Sequence, residues 1–228
     1  EVPFHKIDFD TISYAGEKHL SIEMAARELR YAWFEEMRER LGGQATAVAH
    51  HRDDSVETVL MNLIRGTGIR GMSGIRPRNG FIVRPLLCVS REDILAWLAD
   101  QGYAYMVDIT NLSDAYTRNF IRLNVLPLLE EINPSARNTI ARSAEHLSAA
   151  ETIYIYVLEQ ARKEVVVSDD RLSIGALMRF PAPETILYEL LKEYGFTRLV
   201  SDDIFTALTK EPGKLFYSST HRLLKDRD

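Results

Sequence analysis

Short apolar runs alternate with stretches whose apolar residues recur at helical spacing, and near Asn133 this alternation gives way to helical patterning alone. Val2 to Phe9, with Phe4, Ile7 and Phe9, has the pattern of a strand. Ser21 can cap a helix reaching about Arg40, where Gly42-Gly43 stops it. Thr46-Ala47-Val48-Ala49 is a short apolar run of the buried parallel-strand type. A helix from about Asp54 to Arg65 follows, then a loop of arginines and glycines, then a strand over Phe81 to Leu86. Ser90 opens a helix to about Gln101, with Asp93 three residues on as a weak capping box. Strands alternating with helices predict an α/β fold built on an open, parallel sheet.

The remainder is mainly helical. Asn133-Pro134 supplies an N-cap and a first-turn proline for a long helix reaching about Glu164. Its apolar positions include Ile140, Ala144, Leu147, Ile153 and Leu158. Shorter helices are expected over Ser173 to Arg179, Pro183 to Tyr194 with Gly195 as the stop, and Ser201 to Lys210. The last stretch, from Lys214, has the pattern of two strands around a turn near Ser219. The expected organisation is therefore an α/β domain over residues 1–132 and a mainly helical domain over 133–228.

Composition excludes some classes. The 228 residues are 46% hydrophobic and 27% charged, as in ordinary globular domains. No stretch approaches the roughly 18 uninterrupted apolar residues of a membrane helix, so a soluble protein is expected. The single cysteine, Cys88, rules out an internal disulfide and a multi-cysteine zinc site, and fits a reducing, cytoplasmic compartment. Glu1-Val2-Pro3 is neither an initiator methionine nor a signal peptide, and has the look of the interior of a longer protein. A net charge of −5 argues mildly against nucleic-acid binding. Its distribution argues the other way: from Thr58 to Ser90 there is no acidic residue, while Arg65, Arg70, Arg76, Arg78 and Arg84 all fall there. Such a run can be a solubilising face. Arginines spaced among glycines, as in Arg65-Gly66-Thr67-Gly68-Ile69-Arg70-Gly71, favour a phosphate-contacting loop.

The densest chemistry is Ala49-His50-His51-Arg52-Asp53-Asp54-Ser55-Val56-Glu57-Thr58, at a strand end leading into a helix. In open α/β sheets ligands bind there. A purely structural reading is also available: Asp54 as N-cap with Glu57 completing a capping box, and Asp53 and Glu57 suiting the helix dipole. A zinc site is disfavoured because the HExxH spacing is missing. Arg27 and Arg30 fall on neighbouring parts of one helical face, and Arg118 and Arg122 at i, i+4 point the same way. Asp108 to Asn111 precedes that second pair.

Taken together these segments resemble the tRNA(Ile)-lysidine synthase family of PP-loop ATPases. The matching pieces, in order, are Ala26-Arg27 to Arg30-Tyr31, His50 to Thr58, Arg65-Gly66-Thr67-Gly68 to Gly71-Met72-Ser73-Gly74, and Asp108 through Arg118-Asn119-Phe120-Ile121-Arg122. Arg84-Pro85-Leu86-Leu87 also has the family look. The family's serine-glycine-glycine phosphate loop is absent, so the resemblance implies a chain lacking the first strand and helix of the PP-loop domain, with a C-terminus that can be shortened too.

The resemblance implies ATP-dependent adenylation of C2 of the wobble cytidine in an isoleucine tRNA with a CAU anticodon. Attack by the ε-amine of free lysine then gives lysidine. It implies Asp54 and Glu57 as the pair that binds lysine and relieves it of a proton, and Arg30, His50 and Arg122 as groups orienting the nucleotide and the adenylated base. The arginine–glycine stretch from Arg65 to Arg84 and the helical domain would face tRNA, with Arg65, Arg70 and Arg118 among the substrate-binding residues. Magnesium is expected with ATP, with no metal ligand assigned. The family leaves room for a homodimer. The alternatives are a PP-loop tRNA thiolation enzyme, for which one cysteine is poor equipment, a non-catalytic tRNA-binding fragment, and a PP-loop enzyme acting on a small metabolite.

Overall fold

The computed structural model describes residues 2–106 and 117–227, and the Asp108 to Asn111 segment lies outside them. Two compact units divide the chain, one ending at His146 and the other beginning at Leu147.

The first unit opens with a correction. Val2 to Phe9 is not a strand: it has no regular structure, its residues are exposed, and no described strand pairs with it. Apolar spacing cannot make a strand without a hydrogen-bonded neighbour. An unexpected helix α1 (Thr11–Lys18) follows, capped by Asp10, whose carboxylate accepts the Ser13 N–H at 3.0 Å. Helix α2 (Ile22–Arg40) begins at Ser21 as expected, its hydroxyl accepting the Met24 N–H. It stops where Gly42 turns left-handed at φ +64.

Strand β1 (Thr46–Ala47) runs parallel to β3 (Ile82–Val83), and β2 (Arg78–Asn79) pairs antiparallel with β3, giving the order β1-β3-β2. The parallel pair is the expected one and β2 was not expected. Nor is β1 the buried strand that its apolar run suggested. Among the described residues it is paired on one edge only, and Ala47 and Ala49 are exposed. Helix α3 (Arg52–Ile64) leaves the end of β1, and Pro85–Cys88 forms a 3₁₀ turn where strand was expected. Helix α5 (Arg91–Asp100) has the Ser90–Asp93 capping box in full.

The arginine–glycine stretch contains a short helix α4 (Ile69–Met72), and its glycines do more than loosen a loop. Gly74 has φ +69, and a Cβ there would collide with Ser55 Oγ and sit 3.3 Å from Val59. Ser55 Oγ also accepts the Ile75 N–H at 3.0 Å, so this backbone lies directly on α3.

Helices α6 (Thr117–Phe120) and α7 (Leu126–Ile132) are joined by a π-helical segment, Ile121–Val125, where a regular helix was expected. Helix α8 (Ala136–Val165) begins in the first unit and ends in the second. The apolar cluster of the first unit is small, with Val56, Ile121, Leu126 and Ala141 at its centre.

The second unit has a conventional core. The end of α8 packs with a hairpin of β4 (Val166–Ser168) and β5 (Arg171–Leu172), and with α9 (Ile174–Leu177), α10 (Pro183–Leu191) and α11 (Arg198–Ala207). Leu177, Ile186, Leu187, Leu190, Leu191, Phe196 and Ile204 are buried together, each worth about 1.5–3 kcal/mol against exposure. Gly195, left-handed at φ +78, ends the α10 segment as expected. Helix α11 starts three residues earlier than its sequence pattern suggested, because Thr197 caps it. The closing hairpin, β6 (Leu215–Tyr217) and β7 (Arg222–Leu224), turns at the expected place. Ser218 and Thr220 hydroxyls donate to the Tyr194 carbonyl at 2.6 and 3.1 Å and tie that turn to the end of α10. Among the described residues no helix is long and apolar enough to cross a membrane.

Replacing Gly74 by alanine should destabilise the chain by about 2 kcal/mol or more, since strain at positive φ adds to the collision with Ser55. A urea titration measures it. Gly66→Ala, with positive φ but open space around it, should cost less.

Candidate active site

The candidate chemistry gathers at the N-terminus of α3. The N-cap is His51, not Asp54: the His51 N–H donates to Asp54 Oδ2 at 2.9 Å. The capping frame is therefore shifted three residues from the sequence expectation, which removes Glu57 from any capping duty. One turn further on, Glu57 is fully buried, with a relative exposure of 0%.

A lone buried carboxylate would cost several kcal/mol in lost hydration. Arg122 supplies the compensation through a two-pronged contact, Nε to Oε1 at 2.6 Å and Nη2 to Oε2 at 3.0 Å. Hydrogen bonding to Glu57 in turn raises the Arg122 pKa above its ordinary value. Arg118 Nε lies 3.7 Å from the same carboxylate, while its Nη2 donates to Thr58 Oγ1 at 3.0 Å. Asp54 Oδ1 is 3.7 Å from Arg122 Nη2. The structure thus brings Asp54, Glu57, Arg118 and Arg122 into one cluster. The two arginines converge although a π-helical turn begins between them, and such turns are frequent at functional sites.

His50 enters from the end of β1. Its Nδ1 accepts from Arg84 Nε at 3.1 Å. Burial pushes the imidazole pKa down from its ordinary 6.5; Asp54 opposes this, and the positive charges of Arg84, Arg118 and Arg27 reinforce it. The sign is that of a group held neutral. The associated stability is fully present above the unfolded value and is lost as pH falls towards the depressed folded one.

Two further residues of this site have no catalytic or binding role of their own assigned from the sequence. Arg84 belongs there to the basic run, yet it is buried at 6% exposure, and its Nη1 donates to the Arg76 carbonyl at 2.8 Å. Its guanidinium also lies 3.5 Å from the Tyr31 hydroxyl on α2. Its signals in the sequence are its place before Pro85-Leu86-Leu87 at the end of an apolar strand and the family look of that segment. Asp53, also buried, is a structural tie: Oδ2 accepts the first backbone N–H of α5, from Arg91, at 2.7 Å, and Oδ1 is 3.6 Å from Arg137 of α8. Asp53 lies in the first turn of α3, as its acidic position suggests, and serves the N-terminus of α5 as well.

Other expected residues are not brought in. Arg30 is exposed on α2 and makes no contact with the cluster among the described residues. Arg65 caps the far end of α3, eleven residues or roughly 16 Å from Asp54 at helical rise, and Arg70 follows it in α4. Both are exposed. No group of three or more acidic, histidine or cysteine side chains is arranged to hold a metal among the described residues. Beside the cluster opens a cleft of about 670 Å³ lined in part by His51, Arg91, Arg122 and Arg137, so Arg122 borders space a small molecule could enter, while Glu57 itself has no exposed surface.

A sequence profile of the PP-loop domain matches residues 4–129, more than half of the chain and the part that holds this cluster. The chain belongs to the PP-loop family. A second profile, the TilS substrate binding domain, matches residues 168–228 of this PP-loop protein. It is 98% identical to a tRNA(Ile)-lysidine synthase of Parabacteroides distasonis, over the whole of this chain and 52% of that protein. A tRNA(Ile)-lysidine synthase of Bacteroides thetaiotaomicron is 52% identical, again over the whole chain and 53% of its own length. One of Thermosipho africanus is 37% identical over 81% of the chain and 42% of that protein. The chain spans about half the length of the curated relatives it matches.

Removing one partner of the Glu57–Arg122 pair should cost about 3–5 kcal/mol, because the other charge stays buried without compensation. Thermal unfolding of Arg122→Met, Glu57→Gln and the double variant tests this. The double variant should be less destabilised than the sum of the two singles.

Proposed function

We propose that these residues are part of a tRNA(Ile)-lysidine synthase, which ligates free lysine to C2 of the wobble cytidine of an isoleucine tRNA with a CAU anticodon. The observation that carries this reading is the cluster of Asp54, Glu57, Arg118 and Arg122 beside His50, within a PP-loop domain and next to a cleft of suitable size. Residues 1–132 would carry the catalytic domain and residues 133–228 the tRNA-contacting one. ATP would supply the adenylate that turns the C2 oxygen into a leaving group, and magnesium would travel with its phosphates.

The described residues divide the remaining work. Glu57, with its carboxylate fully engaged by Arg122, suits holding the site's charge geometry better than accepting a proton. Asp54 is the freer carboxylate: Oδ2 is committed to the helix N-terminus, and among the described residues Oδ1 meets only a long contact from Arg122. It is the better candidate to meet the lysine ammonium. Arg122 and Arg118 would stabilise negative charge on the departing AMP. Arg30, exposed on α2, would reach the nucleotide only once it is bound. The exposed Arg65, Arg70, Arg76 and Arg78 would form a phosphate-contacting surface for tRNA. A cytoplasmic location follows from this substrate set, and a homodimer is compatible with it.

An ATP- and lysine-dependent modification assay on an isoleucine tRNA transcript tests the reading, using a protein of the relatives' length that contains these residues. Lysidine should form, and Asp54→Ala should lower its rate by at least about 100-fold. Tight tRNA binding without any lysidine would leave a non-catalytic tRNA-binding protein instead. Affinity for tRNA should also fall steeply with salt. Arg65→Gln/Arg70→Gln should reduce the slope of log affinity against log salt by about 2, one for each phosphate no longer neutralised; an unchanged slope would remove that loop from the tRNA surface.

A further inference from the structure

The hydrogen bond between Arg84 and His50 determines where the imidazole proton sits. Arginine stays protonated and its Nε carries one hydrogen, so a 3.1 Å contact from Arg84 Nε to His50 Nδ1 requires a lone pair on Nδ1. The neutral ring must then carry its proton on Nε2. Arg84 is itself held: it is buried, its Nη1 donates to the Arg76 carbonyl, its backbone N–H donates to the Pro77 carbonyl at 2.9 Å, and its Nη2 reaches the Tyr31 hydroxyl. It cannot swing away from His50 without giving up these contacts.

We propose that Arg84 is a positioning residue that locks His50 as a neutral imidazole with its proton on Nε2. His50 thereby serves the reaction as a hydrogen-bond donor and is closed to use as a general base. Accepting a proton would create an Nδ1–H facing the Arg84 Nε–H, two donors with no acceptor between them. The charged groups that face the ring favour the same state. Arg84 from the end of β3, Arg118 from α6 and Arg27 from α2 oppose protonation, and Asp54 from α3 alone favours it, in a partly buried setting that disfavours charge. This extends the lysidine-synthase reading by dividing the labour within its site. The lysine ammonium proton goes to a carboxylate, with Asp54 the freer one, and His50 Nε2–H donates to an oxygen of the nucleotide or the activated base. That division rests on the reading above, whereas the state of the ring does not.

The ring nitrogen chemical shifts of His50, measured by NMR near neutral pH without substrate, test the lock directly. The expected result is one tautomer with Nε2 protonated and Nδ1 bare. Arg84→Gln keeps a donor against Nδ1 and should preserve that tautomer. Arg84→Met should give a mixture and move the His50 titration up towards the ordinary imidazole value. In the modification assay, His50→Gln should retain most of the activity that His50→Ala loses, because an amide N–H can stand in for Nε2–H. Arg84→Met should lower the rate by about ten-fold or more, because the ring loses its fixed tautomer. Finding Nδ1–H or an imidazolium in the unaltered protein would overturn the proposal, and so would equal activity loss in His50→Gln and His50→Ala. The expected tautomer together with no lysidine formation would instead overturn the lysidine-synthase reading and leave the lock standing.

Discussion

Burying Glu57 is the constraint around which the first unit is organised. A carboxylate without solvent contact is tolerated only if cations reach it in good geometry, and here they come from a segment about sixty residues away. Arg122 grips both oxygens, Arg118 approaches from the preceding turn, and Asp54 faces Arg122 from the start of α3. The apolar cluster centred on Val56, Ile121, Leu126 and Ala141 packs α3 against the same segment. The π-helical turn at Ile121–Val125 belongs to that arrangement, since it adjusts the helix where Arg122 meets Glu57.

The second unit rests on different physics. Its core is a continuous set of leucines, isoleucines, alanines and phenylalanines, and its polar ties are mostly side chain to backbone. Lys225 is the clearest example: it is buried, with its ammonium donating to the Lys210 carbonyl at 2.6 Å. The first unit, with ionised groups at its centre, has the opposite character.

Around the Glu57 cluster, each ionisable group has a distinct task set by what it touches. Asp53 spans from α3 to the starts of α5 and α8. Asp54 divides its two oxygens between the α3 N-terminus and Arg122. Arg84, the buried exception among otherwise exposed loop arginines, fixes the ring of His50. Neighbouring acidic and histidine positions in the sequence therefore differ in function because their partners differ, not because their own chemistry does.

Local signals determined much of the fold. Caps and stops at Ser21, Ser90, Ser173 and Gly195, the alternation of the first half and the hairpin near Ser219 were legible because helix ends and turns depend on neighbours a few residues away. The concentration of site residues over His50 to Glu57 and at Arg118 and Arg122 was legible for the same reason, since unusual residue density needs no tertiary context to be seen. What depends on distant partners was not legible. Among the described residues, Val2 to Phe9 has strand spacing but no strand beside it, and β1 is apolar yet paired on one edge only. The cap of α3 is His51 because its N–H finds Asp54, while Glu57, three residues on, is claimed by Arg122 from across the unit. Arg84 looks like its exposed neighbours in composition and charge. Only the folded chain, by setting it against His50 and the Arg76 carbonyl, decides that it is buried and what it holds.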